Sequence, residues 1–168
     1  MRRFTLFKDK LLKGYLIVGS VAIVILTLST FIQVITRYIL SSPPSWTEEL
    51  ARYMFVWATF LGAAVALDKG LHATITVLDE KLSPRARNVL KSVTTLFVLG
   101  LSILICAESI RLCLSTMSRP SPVMKIPMAC VNVSLFFSGI GMVVSSVDTL
   151  LNLWKKPGEI NEKEENAR

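Results

Sequence analysis

The sequence predicts an all-α membrane protein: four transmembrane helices, with a short amphipathic interfacial segment between the second and the third. Two observations carry this. Four stretches, residues 15–35, 53–67, 92–107 and 126–147, contain no Asp, Glu, Lys, Arg or His. Crossing a hydrocarbon layer about 30 Å thick takes roughly 20 helical residues, and in lipid every backbone amide must be bonded internally. The first and fourth stretches meet that length directly. The second and third reach it when extended to 46–67 and 89–113, which puts Glu48, Glu49, Arg52, Lys91, Glu108 and Arg111 at helix ends, where charges can reach the interface. The second observation is composition: 52% of the 168 residues are hydrophobic and 18% charged, with a mean hydropathy of +0.54. A soluble chain of this length needs more polar surface.

Residues 1–13 read as a basic, partly helical lead, 14–154 as one four-span domain, and 155–168 as a charged tail of disordered composition. The N-terminal apolar stretch is too long for a signal-peptide core and no A-x-A-like cleavage site follows it, so it is expected to stay as an anchor. Span one, about 14–38, ends where Arg37 and Tyr38 suit the interface, and Ser41-Ser42-Pro43-Pro44 breaks the helix. Ser45-Trp46-Thr47-Glu48 then has the form of a capping box, with Ser45 capping the amides and Glu48 reaching back. Glu48 and Glu49 in the first turn also favour the helix dipole. Span two runs over about 46–68. Leu71, Ile75, Leu78 and Leu82 recur at helical spacing with Asp79, Glu80 and Lys81 between them, which predicts a short amphipathic segment on the cytoplasmic face. Ser83-Pro84 supplies a cap and a first-turn proline for span three, about 84–116 and about 50 Å long. A short outer loop with Pro120 and Pro122 leads to span four, about 126–154, with Pro127 in its first turn.

The net charge of +7 is distributed, not pooled. Arg2, Arg3, Lys8, Lys10 and Lys13 precede span one; Lys69, Lys81, Arg85, Arg87 and Lys91 lie between spans two and three; Lys155, Lys156, Lys163 and Arg168 follow span four. The other side holds Arg37, Arg52, Arg111, Arg119 and Lys125. This positive-inside asymmetry places both termini in the cytoplasm and points to anionic headgroups, with Arg85, Arg87 and Lys91 touching lipid, and not to nucleic acid. Chemistry-bearing patterns are sparse. A heme between helices needs axial ligands, and the one histidine, His72, falls in a loop. The cysteines, Cys106, Cys113 and Cys130, lack C-x-x-C spacing; Cys113 and Cys130 either bridge near the outer helix ends or pack as small apolar residues. No phosphate loop, nucleophile elbow or metal cluster is present, so no cofactor is expected and the chain reads as a partner or scaffold, not an enzyme or a self-sufficient pump.

Several residues stand out. Arg52 follows Glu48 by four positions and Glu49 by three, which predicts local neutralisation on one helix face or a further pairing of either carboxylate with Arg37 that pins spans one and two together. Ala58, Gly62 and Ala66 form a small-residue stripe on span two; Ser134, Ser138, Gly141 and Ser145 form one on span four. Such stripes allow close helix approach, within this chain or to another protein. Trp46 and Tyr38 suit an interfacial belt, while Trp57 packs in protein or against lipid. His72 reads as a solvated interface residue or a proton sensor.

From residue 34 the string VITRYILSSPPSWTEELARYMFVWATFLGAAVALDKGLHATITVLDEKL resembles the small membrane subunit of tripartite ATP-independent periplasmic (TRAP) transporters, the DctQ type. The elements that carry the resemblance are Arg37-Tyr38, then Trp46 with Glu48-Glu49, Arg52, Trp57 and Gly62-Ala63-Ala64, then His72 opening the amphipathic stretch. Pro127 is followed by Met128-Ala129-Cys130, where members often carry aromatics and a second proline. The resemblance implies a non-catalytic scaffold in the bacterial inner membrane. Its partners would be a large transporting membrane subunit that moves like an elevator on a sodium gradient, and a periplasmic binding protein that delivers an organic anion. Arg37, Tyr38, Trp46, Glu48, Glu49, Arg52, Trp57, Gly62 and His72 would then serve at the partner interface or in structure, with spans one and two carrying the contact. The residues alone also allow an independent homodimeric four-span transporter, or an anchor or assembly subunit of another complex.

Overall fold

The structure, a computed structural model, describes residues 2–39, 44–70 and 84–155. The predicted segment at 71–82 with His72, the Ser41–Pro43 break, and the tail beyond residue 155 lie outside the described residues. Among the described residues there are four helices: α1 (Arg2–Ile39), α2 (Ser45–Asp68), α3 (Pro84–Thr116) and α4 (Ala129–Lys155). Each contains a segment long and apolar enough to cross a membrane. The basic lead is continuous with span one, because nothing in residues 2–14 breaks a helix, and α1 therefore extends to about 57 Å at 1.5 Å per residue.

The capping box does not form. The cap of α2 is Pro44, extended at φ −69°, ψ 124°, with no side-chain cap, and Ser45 is already the first helical residue. Starting one position early makes the cap a proline, which has no backbone N–H for Glu48 to reach back to. Glu48 turns instead to Arg52 one turn on, Nη2 to Oε1 at 3.0 Å, while the Thr47 hydroxyl donates to the Pro44 carbonyl at 2.7 Å. At the other end of α2, Gly70 adopts φ 67° and donates its amide to Leu67 O at 3.1 Å, a left-handed stop that a side chain would resist.

Residues 117–128 form an ordered link between α3 and α4. Ser121 N–H donates to Ile126 O at 2.8 Å, Met128 N–H to Arg119 O at 3.0 Å, and Pro120 pairs with Pro127 in an isolated antiparallel bridge. Lys125 turns the chain at φ 58°. Pro127 is thus held by the link, and helix begins at Ala129, not around residue 126.

The helices stand in a row, α1–α2–α4–α3, with α2 and α4 in the middle, α1 packed chiefly on α2 and α3 chiefly on α4. Leu12, Tyr15, Leu61 and Ala64 form the buried core where α1, α2 and α4 meet, with Trp57, Val65 and Met142 against it. Polar groups bind the row together: Tyr15 Oη donates to Phe137 O at 2.7 Å, Ser138 Oγ to Phe60 O at 2.7 Å, and Asn132 Nδ2 to Thr116 Oγ1 at 2.9 Å. Two glycines set the crossings. A Cβ on Gly141 would lie 2.6 Å from the Tyr15 ring and 3.0 Å from the Ala64 Cβ; one on Gly139 would lie 2.8 Å from Cys106 Sγ. The small-residue stripe of α4 is therefore internal. That of α2 is not: Gly62 is exposed and a Cβ there would meet nothing within 4 Å.

Candidate partner interface

The buried stripe of α2 runs Glu49, Tyr53, Leu61, Ala64, with half-buried Trp57 and Asp68 in the same register. Its apolar centre ends in one carboxylate at each end. Glu49 and Asp68 are nineteen residues apart in the sequence, about 28 Å along a helix, which matches the thickness of a bilayer's hydrocarbon layer.

At the loop end, Glu49 is 7% exposed and points inward. Its Oε2 accepts from the backbone N–H of Val123 at 3.0 Å and of Met124 at 2.9 Å. Its Oε1 accepts from the Tyr53 hydroxyl, and the Ser121 hydroxyl lies beside it as a further donor. Successive amides converging on one carboxylate form an anion nest. Glu49 thereby fastens the α3–α4 link to α2.

At the opposite end, Lys8 Nζ of α1 sits 2.8 Å from Asp68 Oδ1 of α2 and 2.7 Å from Asp148 Oδ2 of α4. Ser145 Oγ donates to Asp68 Oδ1 at 2.8 Å. The Lys8 side chain is 12% exposed and that of Asp148 10%. One ammonium and two carboxylates from three helices close the terminal end of the row.

The residues singled out from the sequence separate into two groups. Glu49 and Trp57 face inward, Trp57 against Phe137 with ring centroids 6.4 Å apart. Arg37, Tyr38, Trp46, Glu48, Arg52 and Gly62 are exposed. Of the two arrangements the sequence left open, local neutralisation forms and the span-one to span-two pairing does not: Arg52 takes Glu48, the nest takes Glu49, and no ion pair joins Arg37 to either among the described residues. On α2 the exposed positions Glu48, Arg52, Phe55, Thr59 and Gly62 recur every three or four residues, a continuous outward face. On α1, Ile17, Val21, Val24, Leu28, Phe31 and Ile35 are exposed in the same rhythm. The cysteines are free thiols. Sequence reasoning missed Lys8, Tyr15, Ser121 and Asp148. Asp148 did leave a signal, since it extends the recognised stripe 134, 138, 141, 145 by three positions.

Over residues 26–156 the chain matches the family described as tripartite ATP-independent periplasmic transporters, DctQ component. The chain belongs to the DctQ family. This DctQ chain is similar to a Haemophilus influenzae protein described as a TRAP transporter small permease protein, 39% identical over 75 residues, 45% of this chain and 47% of that one. It is similar to the sialic acid TRAP transporter small permease protein SiaQ of Vibrio cholerae, 36% identical over 77 residues, 40% of this chain and 44% of that one. It also resembles the isethionate TRAP transporter permease protein DctMQ of Oleidesulfovibrio alaskensis, 27% identical over 120 residues, 68% of this DctQ chain but 19% of the relative. The chain spans about half the length of the first two relatives in these matches.

Proposed function

We propose that the chain is the non-catalytic small membrane subunit of a sodium-coupled TRAP importer of an organic anion, working with a large membrane subunit and a periplasmic binding protein in the bacterial inner membrane. The positive-inside distribution supports cytoplasmic termini. The observation that carries the reading is the contrast within α1 and α2: a seam fastened by charged groups at both ends, and broad apolar outward faces with none of the described residues against them. A brace needs that combination, stiff inside and adhesive outside. The match to DctMQ, where a segment like this one is part of a much longer permease chain, supports a one-to-one association with a larger partner. The relatives' names specify sialic acid and isethionate, a carboxylate and a sulfonate, which supports an anionic substrate here.

The test is uptake into proteoliposomes under an inward sodium gradient, with sialic acid, isethionate and succinate as probes. Uptake of one of them is expected only when this chain, the large subunit and the binding protein are combined. Transport by this chain alone would overturn the proposal. The double variant Trp46→Ala, Arg52→Ala removes two exposed groups and no internal contact besides the surface Glu48 pair. It should lower co-purification with the large subunit at least tenfold without changing the melting temperature of the isolated chain.

A further inference from the structure

The register of the helices puts one ion pair at a depth the sequence concealed. Cys106 of α3 packs where Gly139 of α4 passes, and the neighbouring Ser138 Oγ donates to Phe60 O of α2. Residue 106 is thus level with Phe60, and Thr116, bonded to Asn132, lies farther toward the loop end. Counted from either contact at 1.5 Å per residue, Glu108 and Arg111 fall within about 6 Å of the midpoint between Glu49 and Asp68. They sit near mid-bilayer, contrary to the helix-end position expected from the sequence. At that level α1, α2 and α4 pass through their uncharged stretches, 15–35, 53–67 and 126–147.

Both groups face away from the row. The Arg111 and Glu108 side chains are 78% and 56% exposed and bonded to each other, Nη1 to Oε1 at 2.9 Å. Helical side chains lean toward their own N-terminus. Arg111 accordingly reaches back to Glu108, deeper into the layer and away from the nearer, loop-end surface. Most of the guanidinium donors and the second carboxylate oxygen find no partner among the described residues. Lipid tails offer none, and ionised groups at such depth are costly unless they face protein or trapped water.

The surrounding face shows what can cover them. Phe97, Gly100, Leu104, Ala107, Arg111 and Leu114 follow at alternating spacings of three and four, and all are exposed. A seam of period 3.5 suits a parallel, left-handed pair of helices. Gly100 and Ala107 permit close approach, and a Cβ on Gly100 would meet nothing within 4 Å. The charges are also their own complement. In a pair related by a two-fold axis along the membrane normal, Glu108 of one α3 lies about 4.5 Å in height from Arg111 of the other. Two carboxylates and two guanidinium groups then alternate in a ring with no net charge.

We infer that this face of α3 is a self-association surface, occupied in the membrane by α3 of a second copy of this chain, with Arg111 of each copy bonded to Glu108 of the other. It lies at the end of the row opposite α1, so each copy keeps the α1–α2 face proposed for a large subunit.

The test uses the full-length chain alone, so its outcome is independent of whether that proposal stands. Two differently tagged copies, co-expressed and captured through one tag in mild detergent, should be recovered together, and native mass spectrometry should give a dimer. Arg111→Glu and Glu108→Arg should each lower self-capture at least tenfold. Pairing the Arg111→Glu chain with the Glu108→Arg chain should restore it, as should both reversals within one chain. Disulfide mapping alters no charge and reads the same surface if a reversed chain fails to insert. With Cys106, Cys113 and Cys130 replaced by Ala, and folding checked by melting temperature, Leu104→Cys and Ala107→Cys should crosslink two copies on oxidation. Ile110→Cys, exposed but about 100° round the helix from Arg111, should not. A monomer by mass spectrometry, capture indifferent to both reversals, or equal crosslinking through Ile110→Cys would overturn the inference. So would crosslinking of Leu104→Cys to a co-expressed large subunit in place of a second copy.

Discussion

The Glu49 carboxylate accepts two backbone amides at 2.9 and 3.0 Å while almost fully buried. Hydrogen bonds to a charged group are worth about 1.5–3 kcal/mol, and an abandoned buried donor costs a similar amount. Glu49→Ala should therefore lower the melting temperature of the isolated chain, and amide exchange at Val123 and Met124 should rise sharply. Glu49→Gln keeps one acceptor oxygen for the amides, and its amino group can face the Tyr53 hydroxyl, so about half that loss is expected. Equal melting temperatures for wild type and Glu49→Ala would show that the nest does not hold the link. Its neighbour Glu48 makes a surface pair with Arg52, side chains 64% and 68% exposed; such pairs contribute about 0.3–0.5 kcal/mol. Which of two adjacent carboxylates turns inward was not legible in the sequence. Neighbours on a helix differ by about 100° of azimuth, and the deciding donors come from residues more than seventy positions away.

Three helices depend on one ammonium at the terminal end. Removing Lys8 alone leaves Asp68 and Asp148 facing each other, half of a broken buried network, at a cost of about 3–5 kcal/mol. Replacing all three members with neutral groups removes the uncompensated charge. Lys8→Met should thus lower the melting temperature more than the triple variant Lys8→Met, Asp68→Asn, Asp148→Asn does. If the triple variant melts lower than the single one, attraction within the cluster outweighs the desolvation of its members. The four spans were legible because uncharged runs of bilayer length have few other readings. The closing cluster was not, since Lys8 looked like one basic lead residue among several. The capping box misled for a local reason: Pro44 was already committed to the extended cap position, so the helix began before the motif's register.

Standing in a row, the helices cover only α2 and α4 on two sides, and α1 and α3 keep most of their apolar surface outward. In lipid that exposure carries no penalty by itself, so packing with a partner must rely on close contact and shape. Gly62 is informative here. A glycine in a helix costs roughly 1 kcal/mol against alanine, and at Gly62 none of the described residues needs the missing side chain. Gly62→Ala should accordingly raise the melting temperature of the isolated chain by a few degrees, whereas Gly141→Ala should lower it, because a Cβ there collides with Tyr15 and Ala64. If the outward face of α2 receives the large subunit, the cost of Gly62 is offset in the assembly by backbone approach. Gly62→Leu would then leave this chain folded and weaken co-purification at least tenfold. Undiminished co-purification of Gly62→Leu would move the contact off α2, leaving the exposed face of α1 to carry it.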